Sequence, residues 1–240
     1  VNTYTQTGFT DAHRESTRSY MTSIYDTAVD AIASDREMEL AAVTNVFENA
    51  PHTAEGAMQA GMVDTLGHVI DAREAALERG GDFAEMVDVS DYFYSLGSWS
   101  NDPVIALIEG QGAIVTGSAS QGLFGDSESI GSDAMSEAIL AAANDDSVQA
   151  ILLRVDSPGG SAIASDQVWD AILRARAAGK PVIVSMASLA ASGGYYIAAP
   201  ADYVVAHATT LTGSIGVYGG KISLGETMAE YGITSERVTV

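Results

Sequence analysis

Short apolar runs alternate with helical segments over residues 103–240, and this alternation constrains the fold more than any other feature. The runs are VIALI (104–108), AILLRV (150–155), PVIVSM (181–186) and DYVVA (202–206). Segments with helical character lie near 132–144, 162–178 and 192–199. This order predicts an α/β fold with parallel strands and crossover helices. Because the strands are almost continuously apolar, we expect helices on both faces of the sheet.

The first eighty residues are of a different kind, since they read as helical and show no obvious chemistry. The first candidate helix spans about Thr10 to Ser34, and a second lies around Glu37–Phe47. A short third helix ends at Gly61, and a fourth follows Gly67. The helical period is then lost in a stretch rich in Gly, Ser and Asp. We therefore predict a helical segment over 1–80, a connector over 81–102 and an α/β domain over 103–240.

The strongly acidic composition disfavours whole classes of partner. Asp and Glu number 32 against 11 Lys and Arg, for a formal charge of −21, so nucleic acid and anionic membrane surfaces would be repelled. The only lysines are Lys180 and Lys221, which suggests adaptation to a salty medium, although an ordinary acidic protein fits equally. The absence of cysteine excludes disulfides, thiolate metal sites and a cysteine nucleophile. No motif predicts a metal or an organic cofactor, and no apolar run is long enough to span a membrane.

Two strand-to-helix turns carry the candidate chemistry, RVDSPGGSAIAS (154–165) and SMASLAASGGYYIAAP (185–200). Such turns meet at the carboxyl edge of a parallel sheet, where ligands bind. Ser192 would begin a helix, where free N–H groups favour developing negative charge, so it is a candidate nucleophile. Gly193 and the pair Gly159–Gly160 could supply oxyanion N–H groups, because glycine allows close backbone approach. A small residue at a crowded turn is the alternative reading of Ser192.

A serine nucleophile needs a base, and the residues alone do not provide a convincing one. His13, His52 and His68 lie in the helical region, and nothing around His207 resembles a triad. Lys180 lies between a predicted helix and strand, where a solvated charge is expected. Lys221 more readily flanks a helix start than serves Ser192.

Three motifs, in order and spacing, resemble the signal peptide peptidase A (protease IV) family of the S49 serine peptidases. They are LLRVDSPGGSAIAS, GKPVIVSMASLAASGGYYIAAPADYVVA and TLTGSIGVYGG. The stretches FTDAHRESTRSYMTSIYDTAVDAIA and TAEGAMQAGMVDTLG are similar to the helical segment that closes the first of two repeats in the long form. The chain is thus expected to be the middle piece of a longer enzyme.

The resemblance implies a ClpP/crotonase-like fold and assigns roles by motif. It makes Ser192 the nucleophile of a Ser-Lys dyad. Gly193 and one or other of Gly159 and Gly160 would form the oxyanion hole, and Ser214 would orient the lysine. The base itself has no match, because the family places it just before Val1 or just after Val240. We therefore expect this piece to be inactive by itself.

What the resemblance implies for partners is equally specific. Substrates would be apolar, extended peptides left in or near the membrane after signal-sequence processing, cleaved through an acyl-enzyme without metal or cofactor. The family forms homo-oligomers, tetramers in the long form, outside the cytoplasm and held at the inner membrane by an anchor that this chain lacks. Two other classes stay open: a crotonase-like acyl-CoA enzyme, and a non-catalytic assembly domain.

Overall fold

A parallel five-stranded sheet is the framework of the second half of the chain in the computed structural model, which describes residues 6–95, 103–118, 128–217, 228 and 230–233. Its strands are β1 (Val104–Gln111), β4 (Val148–Ser157), β5 (Val182–Ala191), β6 (Tyr203–Val205) and β7 (Leu211–Gly213). The order is β1-β4-β5-β6, with β7 paired to the end of β5. All pairings are parallel, which confirms the predicted α/β fold with crossover connections.

Three helices pack on one face of this sheet and enclose the main core. They are α6 (Ser132–Asn144), α7 (Ala162–Ala177) and α8 (Gly193–Ala198). Ile151, Leu153 and Val155 of β4 point into this core and are fully buried. On the opposite face Ile105 and Leu107 remain about 60% exposed (62% and 60%). The expectation of helices on both faces is therefore wrong for the part of the chain that the structure describes.

A second, two-stranded sheet supports the end of β4. Strand β2 (Ala113–Val115) pairs in parallel with β3 (Ser129–Gly131), and Ile114 of β2 forms an isolated bridge with Gly160. The sequence did not predict these strands or β7, because three residues are too few to show a period. They form through pairing with neighbours that lie far away in sequence.

The helical segment has five helices within the described residues. They are α1 (Asp11–Asp35), α2 (Leu40–Glu48), α3 (Ala54–Gln59), α4 (Val69–Gly80) and α5 (Val89–Ser95). Val29, Ala33 and Val43 form a small core of their own. The hydroxyl of Ser23 on α1 donates to Ala208 O of the α/β part at 3.3 Å. None of the described helices is long and apolar enough to cross a membrane.

The first helix begins as predicted, because the Thr10 side chain accepts a hydrogen bond from His13 N. Helix α5, in contrast, lies inside the predicted connector. It begins after Asp88, whose carboxylate accepts from Ser90 N at 2.8 Å. A segment of seven residues is too short to show the hydrophobic period that would distinguish a helix from a loop.

Candidate active site

Ser192 lies at the junction between β5 and α8 in an unusual backbone conformation. Its φ is 52° and its ψ −117°, and positive φ in a non-glycine residue costs about 1–3 kcal/mol. The conformation is held from both sides: Ser192 N donates to Gly213 O, and Tyr196 N donates to Ser192 O, both at 2.9 Å. The serine is only partly buried. It is thus fixed at the head of a helix with its side chain accessible.

The serine opens onto a cleft of about 370 Å³. Gly160 and Gly193 line the cleft beside Ser192, and its remaining walls are mainly apolar side chains, among them Tyr195, Tyr196, Ile215 and Val217. Ile215 and Val217 are largely exposed, at 79% and 91%. The cleft therefore combines a hydroxyl group and backbone amides with walls that favour apolar ligands.

The Gly159–Gly160 turn packs directly against this junction, and both positions need glycine. Gly159 has φ +95°, and a Cβ there would lie 2.5 Å from Gly193 N and 2.8 Å from Ser192 Cβ. A Cβ on Gly160 would overlap the carbonyl oxygen of Ile114. The turn can approach α8 this closely only because it carries no side chains.

The two turn glycines direct their N–H groups differently. Gly159 N donates to the hydroxyl of Ser157 at 3.1 Å, so that donor is already used. Gly160 is flanked by hydrogen bonds from Ile114 N to Gly159 O and from Ser161 N to Ile114 O. In this pairing the N–H of Gly160 points away from β2. It has no acceptor among the described residues, and neither does Gly193 N.

These two free donors are neighbours. A Cβ on Gly193 would lie 3.2 Å from Gly160 N, and both residues line the cleft beside Ser192. Backbone N–H groups beside a nucleophilic hydroxyl can stabilise the oxyanion of an acyl-transfer reaction. The structure thus brings Ser192, Gly193 and the Gly159–Gly160 turn together.

Ser214 is adjacent to the nucleophile candidate through the sheet. Strand β7 aligns Gly213 with Ala191, and Gly213 O accepts from Ser192 N, so Ser214 follows immediately. Its φ is 49°, and its hydroxyl has no hydrogen-bond partner in the described ranges. The side chain is exposed and available for a further contact.

Two of the bases that the sequence offered, His207 and Lys180, are held in contacts away from Ser192. His207 is tied to its own turn, with Nδ1 2.8 Å from Thr209 Oγ1. The turn is anchored where Thr210 Oγ1 donates to Ala187 O, five residues before Ser192. Lys180 precedes β5, at the opposite end of the strand from Ser192, and donates to Asp145 O at 2.8 Å and to Val148 O. Lys221 lies outside the described residues.

The other histidines also have local contacts within the helical segment. His13 packs edge-on against Phe9, with ring centroids 4.5 Å apart. His52 Nε2 lies 2.7 Å from Val46 O, and His68 caps α4 together with Asp71. None of these rings takes part in the cleft.

Sequence reasoning missed a hydrogen bond that braces the cleft wall. The Tyr196 hydroxyl donates to Asp166 Oδ1 of α7 at 2.7 Å, and the Tyr196 ring lies 6.3 Å from that of Trp169, centroid to centroid. This hydrogen bond, with desolvation and the carboxylate charge, raises the pKa of Tyr196 above its usual 10.0. The sequence spacing could have indicated that Tyr196 lies near the site, because Tyr196 is one helical turn after Ser192 and shares its face.

Comparison with known proteins gives a family match. The family model described as Peptidase family S49 matches residues 1–81 and 174–240. Protease 4 of Salmonella typhi is 38% identical over 192 residues, which cover 78% of this chain and 30% of that protein. Protease 4 of Haemophilus influenzae is 39% identical over 139 residues, covering 56% of this chain and 22% of that protein.

Among solved structures, ClpP1 from Listeria monocytogenes matches with a TM-score of 0.29 and 22% identity, covering 40% of this chain and 46% of that one. The chain spans less than a third of the length of the two Protease 4 relatives.

Proposed function

The chain belongs to peptidase family S49, and from that premise we propose that it carries the nucleophile half of a serine endopeptidase site that uses a Ser-Lys dyad. The observation that carries this proposal is the strained Ser192 beside the N–H groups of Gly160 and Gly193, which have no acceptor among the residues that the structure describes. A residue that merely fills a turn would gain nothing from such strain and exposure.

In this mechanism the Ser192 hydroxyl adds to a peptide carbonyl carbon while a neutral amine takes its proton. The carbonyl oxygen becomes an oxyanion between Gly160 N and Gly193 N, where one good donor contributes roughly 3–4 kcal/mol. The tetrahedral intermediate then expels the peptide amine, which receives the proton back. Water, deprotonated by the same base, hydrolyses the acyl-serine and regenerates Ser192.

The geometry favours Gly160 over Gly159 as the turn donor. Gly159 N is held by Ser157, whereas Gly160 lines the cleft and its N–H points away from β2. Ser214, next to the nucleophile, is the residue we propose to orient the base.

We further propose that the base is a lysine outside this 240-residue stretch. Of the candidates that the structure describes, Lys180 lies at the opposite end of β5 from Ser192, and the His207 ring is held within its own turn. A desolvated amine near this apolar cleft would have a lowered pKa and could be neutral at physiological pH.

The apolar cleft supports extended, apolar peptides as substrates, in keeping with remnants of signal sequences. We also propose that the protein forms homo-oligomers and lies on the outer side of the inner membrane. The helical segment would then close the preceding repeat of a longer polypeptide, and the α/β part would carry the nucleophile.

Labelling with a fluorophosphonate tests the function. The reagent phosphonylates an activated serine hydroxyl with loss of fluoride, and mass spectrometry locates the modified residue. We expect slow or no labelling of the 240-residue chain, and fast labelling at Ser192 in a polypeptide extended upstream of Val1.

Ser188→Ala is the matched control, because Ser188 is an exposed serine of the same strand. Only Ser192→Ala should abolish labelling and peptide hydrolysis by the extended polypeptide. If the Ser192→Ala variant still hydrolyses peptides, or if labelling falls on another residue, the proposal is wrong. Efficient Ser192-dependent cleavage by the 240-residue chain would contradict only the proposal that the base lies outside this chain.

A further inference from the structure

Ser157 is a fully buried polar residue immediately before the Gly159–Gly160 turn, and the catalytic scheme above gives it no part. Its hydroxyl donates to Gly112 O at 2.7 Å and accepts from Gly159 N at 3.1 Å. We propose that Ser157 is a positioning residue, whose hydroxyl fixes the glycine turn so that Gly160 N, and not Gly159 N, faces the oxyanion. This inference rests on the proposed peptidase function.

Ser157 connects the turn at Gly112 with the turn at Gly159. Gly112 lies between β1 and β2, and its N–H donates to Asp156 O while its carbonyl accepts from Ser157. Gly159 lies beyond Pro158 in the following turn. One hydroxyl therefore joins two turns that are 45 residues apart in sequence at their point of contact.

The hydrogen bond from Gly159 N to Ser157 distinguishes the two N–H groups of the glycine turn. A turn with two adjacent glycines can rotate its peptide planes at little steric cost, so sequence alone does not decide which N–H points to the cleft. The hydrogen bond to Ser157 holds Gly159 N in the interior. With that plane fixed, the bridge to Ile114 leaves Gly160 N as the outward donor.

Ser157 also lies against helix α8, which follows the nucleophile directly. A Cβ on Gly194 would lie 2.7 Å from Ser157 O and 3.2 Å from Ser157 Cβ, so the serine packs against the first turn of α8. Helix α8 begins with Gly193, the other donor, directly after Ser192. Ser157 thus contacts the elements that carry both oxyanion donors, without lining the cleft itself.

The test compares Ser157→Ala with the wild type in the extended polypeptide that carries the activity. Loss of the hydroxyl frees Gly159 N and loosens the donor plane, so we expect kcat to fall about 10- to 100-fold, below the loss from deleting a donor outright. KM should stay within about twofold, because the cleft walls are unchanged.

A pair of inhibitors separates positioning from folding. Ser192 adds to a peptide aldehyde, its proton passing to the base, and the aldehyde oxygen takes the place of the oxyanion. The corresponding peptide alcohol binds the same cleft but cannot react. We expect Ser157→Ala to raise the Ki of the aldehyde by about the factor lost in kcat, with the Ki of the alcohol unchanged.

Ser136→Ala is the matched control, because Ser136 of α6 is also buried but its hydroxyl has no partner in the described part of the chain. It should change neither inhibitor constant. Ser157→Cys keeps the size of the side chain with a weaker donor and acceptor, and should give an intermediate loss. If Ser157→Ala does not fold, as judged by near-UV circular dichroism, the cysteine variant is judged by the same criteria.

An unchanged kcat, or equal weakening of aldehyde and alcohol, would refute the positioning role. Failure of the proposed function has a different signature, since the wild-type extended polypeptide would then show no Ser192-dependent hydrolysis.

Discussion

At the scale of single residues, the site depends on where backbone N–H groups point. The motifs singled out Ser192, Gly193, Gly159 and Gly160, because a small set of residue types allows close approach at two strand ends. The choice between the two turn glycines was not predictable. The contacts that distinguish their N–H groups involve Ser157 and Ile114, and Ile114 lies 46 positions before Gly160.

Gly159→Ala tests the close packing at this turn. A Cβ would lie 2.5 Å from Gly193 N, in addition to the strain of an alanine at φ +95°. We expect the free energy of unfolding to fall by about 3 kcal/mol or more, measured by urea denaturation. Gly179→Ala is the control, since its φ is +84° but nothing lies within 4 Å of its Cβ. It should cost only about 1–2 kcal/mol, and equal losses in both variants would contradict the packing argument.

At the scale of elements, the long elements were predictable, as was β6 within a longer apolar run, whereas the isolated three-residue strands were not. Strands β4 and β5 and helices α1, α6 and α7 have ten residues or more, enough for their hydrophobic patterns to identify them. The three-residue strands β2, β3 and β7 have no such pattern, yet β7 positions Ser214 and β2 fixes Gly160. The smallest elements of the fold therefore shape the site most directly.

The hydrogen bond between Asp166 of α7 and Tyr196 of α8 should make the thermal stability of the protein depend on pH. Because the hydrogen bond to Asp166 raises the folded-state pKa of Tyr196, its stabilisation is complete below the unfolded value near 10 and is lost as pH rises through the higher folded value. Tyr196→Phe should lower Tm at pH 8, and the gap to the wild type should narrow above pH 10. Thermal unfolding at both pH values measures this.

Tyr203→Phe is the control for that experiment. Tyr203 is 67% exposed and its hydroxyl has no hydrogen-bond partner in the described ranges, so its variant should follow the wild type at both pH values. A Tyr196→Phe curve parallel to that of the wild type would show that the Asp166 contact does not stabilise α8.

At the scale of the whole molecule, two properties cannot be predicted from any single element. They are the net charge and the exposure of one sheet face in the described residues. Apolar runs indicated a sheet buried on both sides, but the strand sequence does not show what covers each face. Ile105 and Leu107 of β1 are exposed, together with Tyr203 and Val205 of β6. The same hydrophobic pattern is thus compatible with one covered face in the described residues.

With a net charge of −21, the thermal stability of the protein should depend on salt concentration. The described residues contain three salt bridges, those of Arg36, Arg174 and Arg176, so most carboxylates repel one another without a cationic partner there. The Debye length falls from about 30 Å at 0.01 M to about 3 Å at 1 M salt. If the surface is adapted to salt, Tm should rise steadily from 0.01 M to 2 M KCl, whereas equal stability at low and molar salt would refute the adaptation.

A charge variant separates repulsion from general salting-out. Glu74, Glu78 and Glu137 are exposed helix residues whose carboxylates have no partner in the part of the chain described. Replacing all three by Gln removes three negative charges without removing a contact. The variant should be more stable than the wild type at 0.01 M KCl, and the difference should vanish by 1 M, because screening then suppresses repulsion at surface distances. A constant difference at all salt concentrations would point to helix propensity, and the acidic surface would then not be the source of the salt dependence.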